Sequence, residues 1–158
     1  MAGDNSMRMA TIPTIRITKE FNFEAAHFLP GYDGLCANIH GHSYRLFVTV
    51  KGQPEQAKTS PKLGMVMDFG LLKQIVQEQI VSRFDHSLVI RGDQAASLHA
   101  LAERFRVVEL GFQPTCENML AWMADRLVAA LPPSVTLVRL RLYETQKNYA
   151  EWYAEDNG

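Results

Sequence analysis

The stretch Cys36-Ala-Asn-Ile-His40-Gly-His42-Ser-Tyr44-Arg-Leu46-Phe-Val48-Thr-Val50-Lys51 decides the fold of this chain. From His42 onward, Tyr44, Leu46, Val48 and Val50 share one face, while Ser43, Arg45, Thr49 and Lys51 share the other apart from Phe47. That period of two predicts a half-buried strand over His42 to Lys51. At its mouth His40 and His42 stand two apart, so both imidazoles emerge on the face that continues into Tyr44. Gly41 between them allows the backbone bend that converging side chains often need. Upstream, Ile15, Ile17, Phe21, Phe23 and Ala25 fall on odd positions, broken only by Lys19. A second strand therefore runs towards His27, and laid antiparallel to the first it delivers a third imidazole.

Downstream, the turn-rich run Gly52 to Gly64 is followed by Phe69, Leu72, Val76 and Ile80 at three- and four-residue steps. These predict an amphipathic helix that Asp68 caps and that ends near Phe84. A short helix is expected over residues 97–106. A longer one is expected from Thr115 to Leu131, with Leu120, Met123, Leu127 and Leu131 on one face until Pro132-Pro133 stops it. Two strands close the chain. Thr136, Val138, Leu140, Leu142 and Glu144 share a face of the first, and the second spans about Asn148 to Ala154. The order strand, strand, helix, helix, strand, strand predicts an α+β fold, an antiparallel four-stranded sheet with two main helices on one face. Residues 1–12 read as a loose arm and 13–158 as a single domain. Outer strands of so small a sheet need covering, and pairing with other subunits is one way to cover them.

The 158 residues carry 16 Lys+Arg against 17 Asp+Glu, a net charge of -1. Such a balance offers no basic field for nucleic acid and no polybasic signal for a membrane. No window approaches the ~18 apolar residues of a membrane span, and the start lacks the apolar run of a secretion signal, so a cytoplasmic location is expected. Cys36 and Cys116 are too few for a disulfide framework and read as reduced thiols.

Three of the five histidines, His27, His40 and His42, fall within sixteen residues. Three neutral imidazoles with an open fourth position are the donor set of a catalytic zinc site. Ligand type alone leaves nickel, iron and copper open, and spacing alone leaves Cys36 open as fourth ligand or as reactive base. Asp85-His86 pairs a carboxylate with an imidazole that it would suit to proton transfer. Thr115 and Glu117 fit the start of a helix on structural grounds alone. Glu144 ends an apolar row and must find a partner, and a planar group with two N–H donors would serve.

The motifs FEAAH, CANIHGHSY, MDFGLLK, FDH, PTCEN and LYETQKNYAEW occur in this order over Ile15 to Tyr153. In this combination the chain resembles the 6-pyruvoyl-tetrahydropterin synthase family, and the three residues between Cys36 and His40 look like its bacterial 6-carboxy-tetrahydropterin synthase branch. The resemblance implies that His27, His40 and His42 bind zinc and that Cys36 is the catalytic base, assisted by Asp85 and His86. It further implies that Glu144 anchors the pterin ring and that the segment Thr115 to Glu117 lines the pterin pocket. The implied fold is the tunnelling fold, with subunit sheets joined into an oligomeric barrel, a hexamer, whose sites lie at subunit interfaces. The implied reaction converts 7,8-dihydroneopterin triphosphate to 6-carboxy-tetrahydropterin, releasing triphosphate and acetaldehyde, in queuosine biosynthesis. Two alternatives stay open here, a 6-pyruvoyl-forming enzyme and a non-catalytic protein that binds pterin or metal.

Overall fold

Two long strands, β1 (Ile15–His27) and β2 (His40–Gly52), form the antiparallel pair on which the rest is built. Their register sets Ile15 opposite Gly52 at one end and His27 opposite His40 at the other. The computed structural model describes residues 11–98, 100 and 103–158, so the expected arm lies outside this range except for Thr11 and Ile12. Among the described residues the sheet has six strands, not the expected four, in the order β4-β3-β1-β2-β5-β6. The two unforeseen strands are β3 (Ser87–Arg91) and β4 (Val107–Leu110), and both join in parallel, making the sheet mixed. Ser87, Leu88, Val89 and Ile90 are all buried, and a strand covered on both faces shows no alternation to read. Of the short helix expected over 97–106, Ala100 is helical, Ala96–Leu98 forms a 3₁₀ turn and a turn and bend follow over 103–105, while His99, Leu101 and Ala102 lie outside the described residues.

The first long helix matches its expected span but is not uniform. It runs as α1 (Phe69–Val76), widens into a π turn over Gln77–Val81 and closes as α2 (Ser82–Phe84). Asp68 caps it, Oδ1 accepting the Gly70 N–H at 2.7 Å. Leu72, Val76, Ile80 and Phe84, all fully buried, recur at steps of four. Such steps drift around a 3.6-residue helix, and the wider turn takes up part of that drift. In α3 (Cys116–Ala130) the Thr115 hydroxyl accepts the Asn118 N–H at 3.2 Å, and the helix ends before the two prolines as expected. A short α4 (Ala154–Asn157) ends the chain. The helices lie on one side, where Met119, Met123 and Leu127 join Phe23, Leu46, Val48 and Leu140 in a single core. Each such side chain contributes about 1.5–3 kcal/mol by burial.

β5 (Thr136–Tyr143) and β6 (Tyr149–Tyr153) complete the sheet beside β2. Arg139 faces Thr49 while Leu137 faces Val50, so Val138 is the extra residue of a β-bulge. The expected face shared by Thr136, Val138, Leu140 and Leu142 is therefore wrong below Leu140. A bulge inverts the alternation, and Leu137 joins Leu140 and Leu142 in the core while Thr136 is exposed. Among the described residues no helix is long and apolar enough to cross a membrane.

Candidate metal centre

At the end of the sheet where β1 stops and β2 starts, period-2 geometry alone aims His27, His40 and His42 at one point. Their ligand nitrogens all lie within 4.8 Å of one another. Gly41 contributes no bend, because β2 is regular there and Gly41 pairs with Ala26. A Cβ at Gly41 would meet only the Ala25 carbonyl, at an ordinary 3.6 Å.

Carbonyls fix the tautomers. His27 Nδ1 lies 2.7 Å from the Pro114 carbonyl, and His40 Nδ1 lies 2.7 Å from that of Asn38. A carbonyl only accepts, so both Nδ1 atoms carry the proton and both Nε2 atoms present lone pairs. These two Nε2 atoms face each other at 3.0 Å, an arrangement that repels unless a cation lies between them. His42 Nε2 is buried without a hydrogen-bond partner among the described residues and points to the same place. Three inward imidazole nitrogens at this spacing are a donor set for a metal ion, and the three histidines are positioned to bind one. Glu144, just past the end of β5, stands against the group, its Oε1 3.5 Å from His27 Nε2 and 3.6 Å from His42 Nε2.

Burial, the largest influence on both, lowers the pKa of His27 and His42 below the usual imidazole value, and each is neutral where a metal ligand must be neutral. In the unfolded chain both titrate near the ordinary ~6.5. As the pH falls the unfolded state takes up these protons first, so the metal-free protein should lose stability below about 6.5 and level off beneath the folded-state values. Urea midpoints of chelator-treated protein between about pH 8 and 5 test this, and a flat profile would refute it.

Cys36 lies in the loop joining β1 to β2, in a 3₁₀ turn over Leu35–Ala37, and stands outside the imidazole group. Pro30-Gly31 opens that loop with a turn in which the Tyr32 N–H donates to the Leu29 carbonyl at 3.2 Å. Gly31 supplies the φ of +81° that such a turn needs at its third position. The Leu29 N–H donates in turn to the Cys36 carbonyl at 2.8 Å, tying the thiol-bearing residue back to the end of β1.

His86 has a φ of +57°, and the resulting bend brings its Nδ1 within 3.0 Å of Asp85 Oδ1. The adjacent pair does interact. Asp85 also accepts the Glu24 N–H at 2.9 Å, the main reason that its carboxyl titrates below the usual carboxylate range. His86 is 79% exposed and shares an open depression with His42, Gly41 and Ser43.

On the other side Glu144 lines a cavity of about 110 Å³ with Cys116, Glu117, Asn148, Tyr149 and Ala150. Thr115 is not among these residues, its hydroxyl being engaged as the helix cap. The Cys116 thiol donates to the Leu142 carbonyl at 3.4 Å, and burial pushes its pKa up to about 12. Sequence reading missed Asn148, Tyr149 and the orienting Pro114 carbonyl. Tyr44 was read only as part of the buried face, yet its hydroxyl lies 3.4 Å from His27 Nδ1.

Comparison with known proteins identifies the family. Residues 16–155 match the family 6-pyruvoyl tetrahydropterin synthase. The 6-carboxy-5,6,7,8-tetrahydropterin synthase of Haemophilus influenzae is 32% identical over 141 residues, covering 87% of this chain and 97% of that protein. That of Synechocystis is 32% identical over 138 residues, covering 87% and 92%. Among solved structures, an uncharacterized Wolinella succinogenes protein superposes with a TM-score of 0.75 at 21% identity, over 90% of this chain and 99% of that one. The 6-pyruvoyl tetrahydropterin synthase of Caenorhabditis elegans superposes with a TM-score of 0.67 at 23% identity, over 92% and 99%. Since the match runs from the first strand to the last helix, the chain belongs to the 6-pyruvoyl tetrahydropterin synthase family.

Proposed function

We propose that this protein is a zinc-dependent lyase that converts 7,8-dihydroneopterin triphosphate and water to 6-carboxy-5,6,7,8-tetrahydropterin, triphosphate and acetaldehyde, a step of queuosine and 7-deazapurine biosynthesis. The observation that carries this reading is the convergence of three imidazoles, two of them oriented by carbonyls, beside the Glu144 carboxylate. The 6-carboxy product is supported by the names of the relatives and by the three-residue spacing between Cys36 and His40.

His27, His40 and His42 would hold the zinc, which when bound supplies a Lewis acid at the substrate's side-chain hydroxyls. Cys36 accepts a proton from the side chain of the substrate. Asp85 holds His86 by Nδ1, leaving Nε2 to pass that proton on. Glu144 accepts the paired N–H donors of the pterin ring, and of the segment Thr115 to Glu117 it is Cys116 and Glu117 that form the wall beside it.

Mass spectrometry of the products from purified protein and dihydroneopterin triphosphate tests the whole reading. Release of acetaldehyde with a 6-carboxy product supports it. A 6-pyruvoyl product without acetaldehyde makes the protein a pyruvoyl synthase, and retained pterin binding with no turnover makes it a binding protein.

Charge-assisted hydrogen bonds are worth ~1.5–3 kcal/mol each. Glu144→Gln keeps the shape but turns one acceptor into a donor facing the donors of the ring. Affinity for a reduced pterin should fall at least about tenfold, equal to ~1.4 kcal/mol, with metal content unchanged. Calorimetry that finds wild-type affinity would make the carboxylate structural.

A cavity of about 110 Å³ admits one edge of a ligand, whereas complete sites commonly offer ~300–1,000 Å³. β3 covers β1 only over Ala25–His27, leaving the outer edge of β1 from Ile15 to Glu24 without a strand among the described residues. Among the described residues β6 has no further strand beside it at the border of the sheet. We read these edges as the surfaces by which subunits join and complete the site. Light scattering should find a homo-oligomer, and a fully active monomer would contradict this.

A further inference from the structure

The face of the sheet away from the helices carries arginines that are mostly matched by acids. Arg45 pairs with Glu20 at 2.7 Å and Arg141 with Glu151 at 2.8 Å. The pattern breaks at the end of the sheet far from the histidines. There Arg16, Lys51 and Arg139 line one cavity of about 350 Å³, and none of them has a carboxylate within 4.0 Å among the described residues. Among the described residues the only acidic side chain lining that cavity is Glu155.

The register makes this crowding unfavourable by itself. Arg16 on β1 lies directly opposite Lys51 on β2, and like charges facing across an antiparallel pair destabilise it. Arg139 enters from the third strand, opposite Thr49 and with its guanidinium over the Tyr153 ring at 6.0 Å. Thr18 and Thr49 hydroxyls bridge the floor at 2.8 Å, adding polar groups that face the same space. Three cations, one acid and a hydroxyl pair form the complement of a small anion carrying two or more charges.

We propose that this cavity binds a small multivalent oxyanion of the phosphate class, held by Arg16, Lys51 and Arg139. It is separate from the metal centre. Eleven residue steps along β1, roughly 36 Å of extended chain, divide Arg16 from His27, and odd and even positions of a strand face opposite sides. The anion removes the cross-strand repulsion, so binding and stability are coupled.

Titration calorimetry and thermal melting with inorganic triphosphate and with orthophosphate test the site in the intact protein, whatever reaction the metal centre supports. The two probes separate a chain of phosphates from a single one, and the one that binds more tightly names the ligand. The wild type should bind with a rise in Tm. Lys51→Gln and Arg139→Gln should each weaken binding at least about tenfold. In anion-free buffer Lys51→Gln should melt at or above the wild-type temperature, because the like-charge pair is gone. Absence of binding to the wild type overturns the proposal. So does undiminished affinity in both variants, which would place the anion elsewhere.

Discussion

Replacing His40 by alanine should leave the chain folded and take away both its metal and its turnover. His40 sits at the mouth of β2, only half-buried, and its removal opens no hole in the core formed by Leu46, Val48 and Leu140. It does remove one of three converging ligand nitrogens. Loss of a group that merely orients a ligand costs metal sites 10- to 100-fold in affinity, so loss of a ligand should cost more than about a hundredfold. Bound metal is expected to fall from about one ion per chain to near none after dialysis, read by elemental analysis, with turnover below roughly 1% of wild type. An unaltered far-UV spectrum would confirm that the fold persists. Removing His40 also relieves the 3.0 Å contact with His27, so the metal-free variant should be no less stable than the metal-free wild type. Retention of a full complement of metal would show that the imidazoles converge for some other reason.

The site was more legible in the sequence than the sheet around it. His27, His40 and His42 were readable because each ends a clean alternation, and period-2 geometry with antiparallel pairing carries the side chains to one place without further information. Asp68 and Thr115 were readable because a cap is a local contract between a side chain and an N–H two or three residues away. The failures share a physical origin as well. β3 is buried at four successive positions and β4 has four residues, so neither shows the half-exposed pattern that marks a strand. The Val138 bulge depends on how β5 registers against β2, which no window of β5 contains. The carbonyl that orients His27 belongs to Pro114, 87 residues away, and a backbone oxygen has no residue type to betray it. Tertiary contacts of this kind leave no mark on local periodicity.

The second large effect is expected at Cys36, where alanine should keep the metal and remove most of the turnover. The thiol stands outside the group of converging imidazoles, so metal content should stay near one per chain. Its position is nonetheless set with care. A turn at Pro30-Gly31, the Leu29 to Cys36 backbone bond at 2.8 Å and a bond of 3.1 Å from Gln113 Nε2 to the Pro30 carbonyl fix the loop that presents it. A partly exposed thiol in a loop tied back to the end of β1 suits proton transfer, for which general acid–base groups contribute about 10²- to 10⁴-fold. A loss of that size in kcat, with pterin affinity little changed, is the expected result. The other cysteine provides the contrast. Cys116 is buried with its pKa pushed up to about 12, which keeps it protonated and unreactive at neutral pH. A limiting dose of iodoacetamide should therefore label Cys36 first, and activity should fall in step with that single modification. Substrate analogue bound beforehand should slow both. If Cys36→Ala lost its metal the thiol would be a fourth ligand, and if it turned over at the wild-type rate the proton acceptor would have to be another group beside the centre, with His86 and Glu144 the two that the structure brings there.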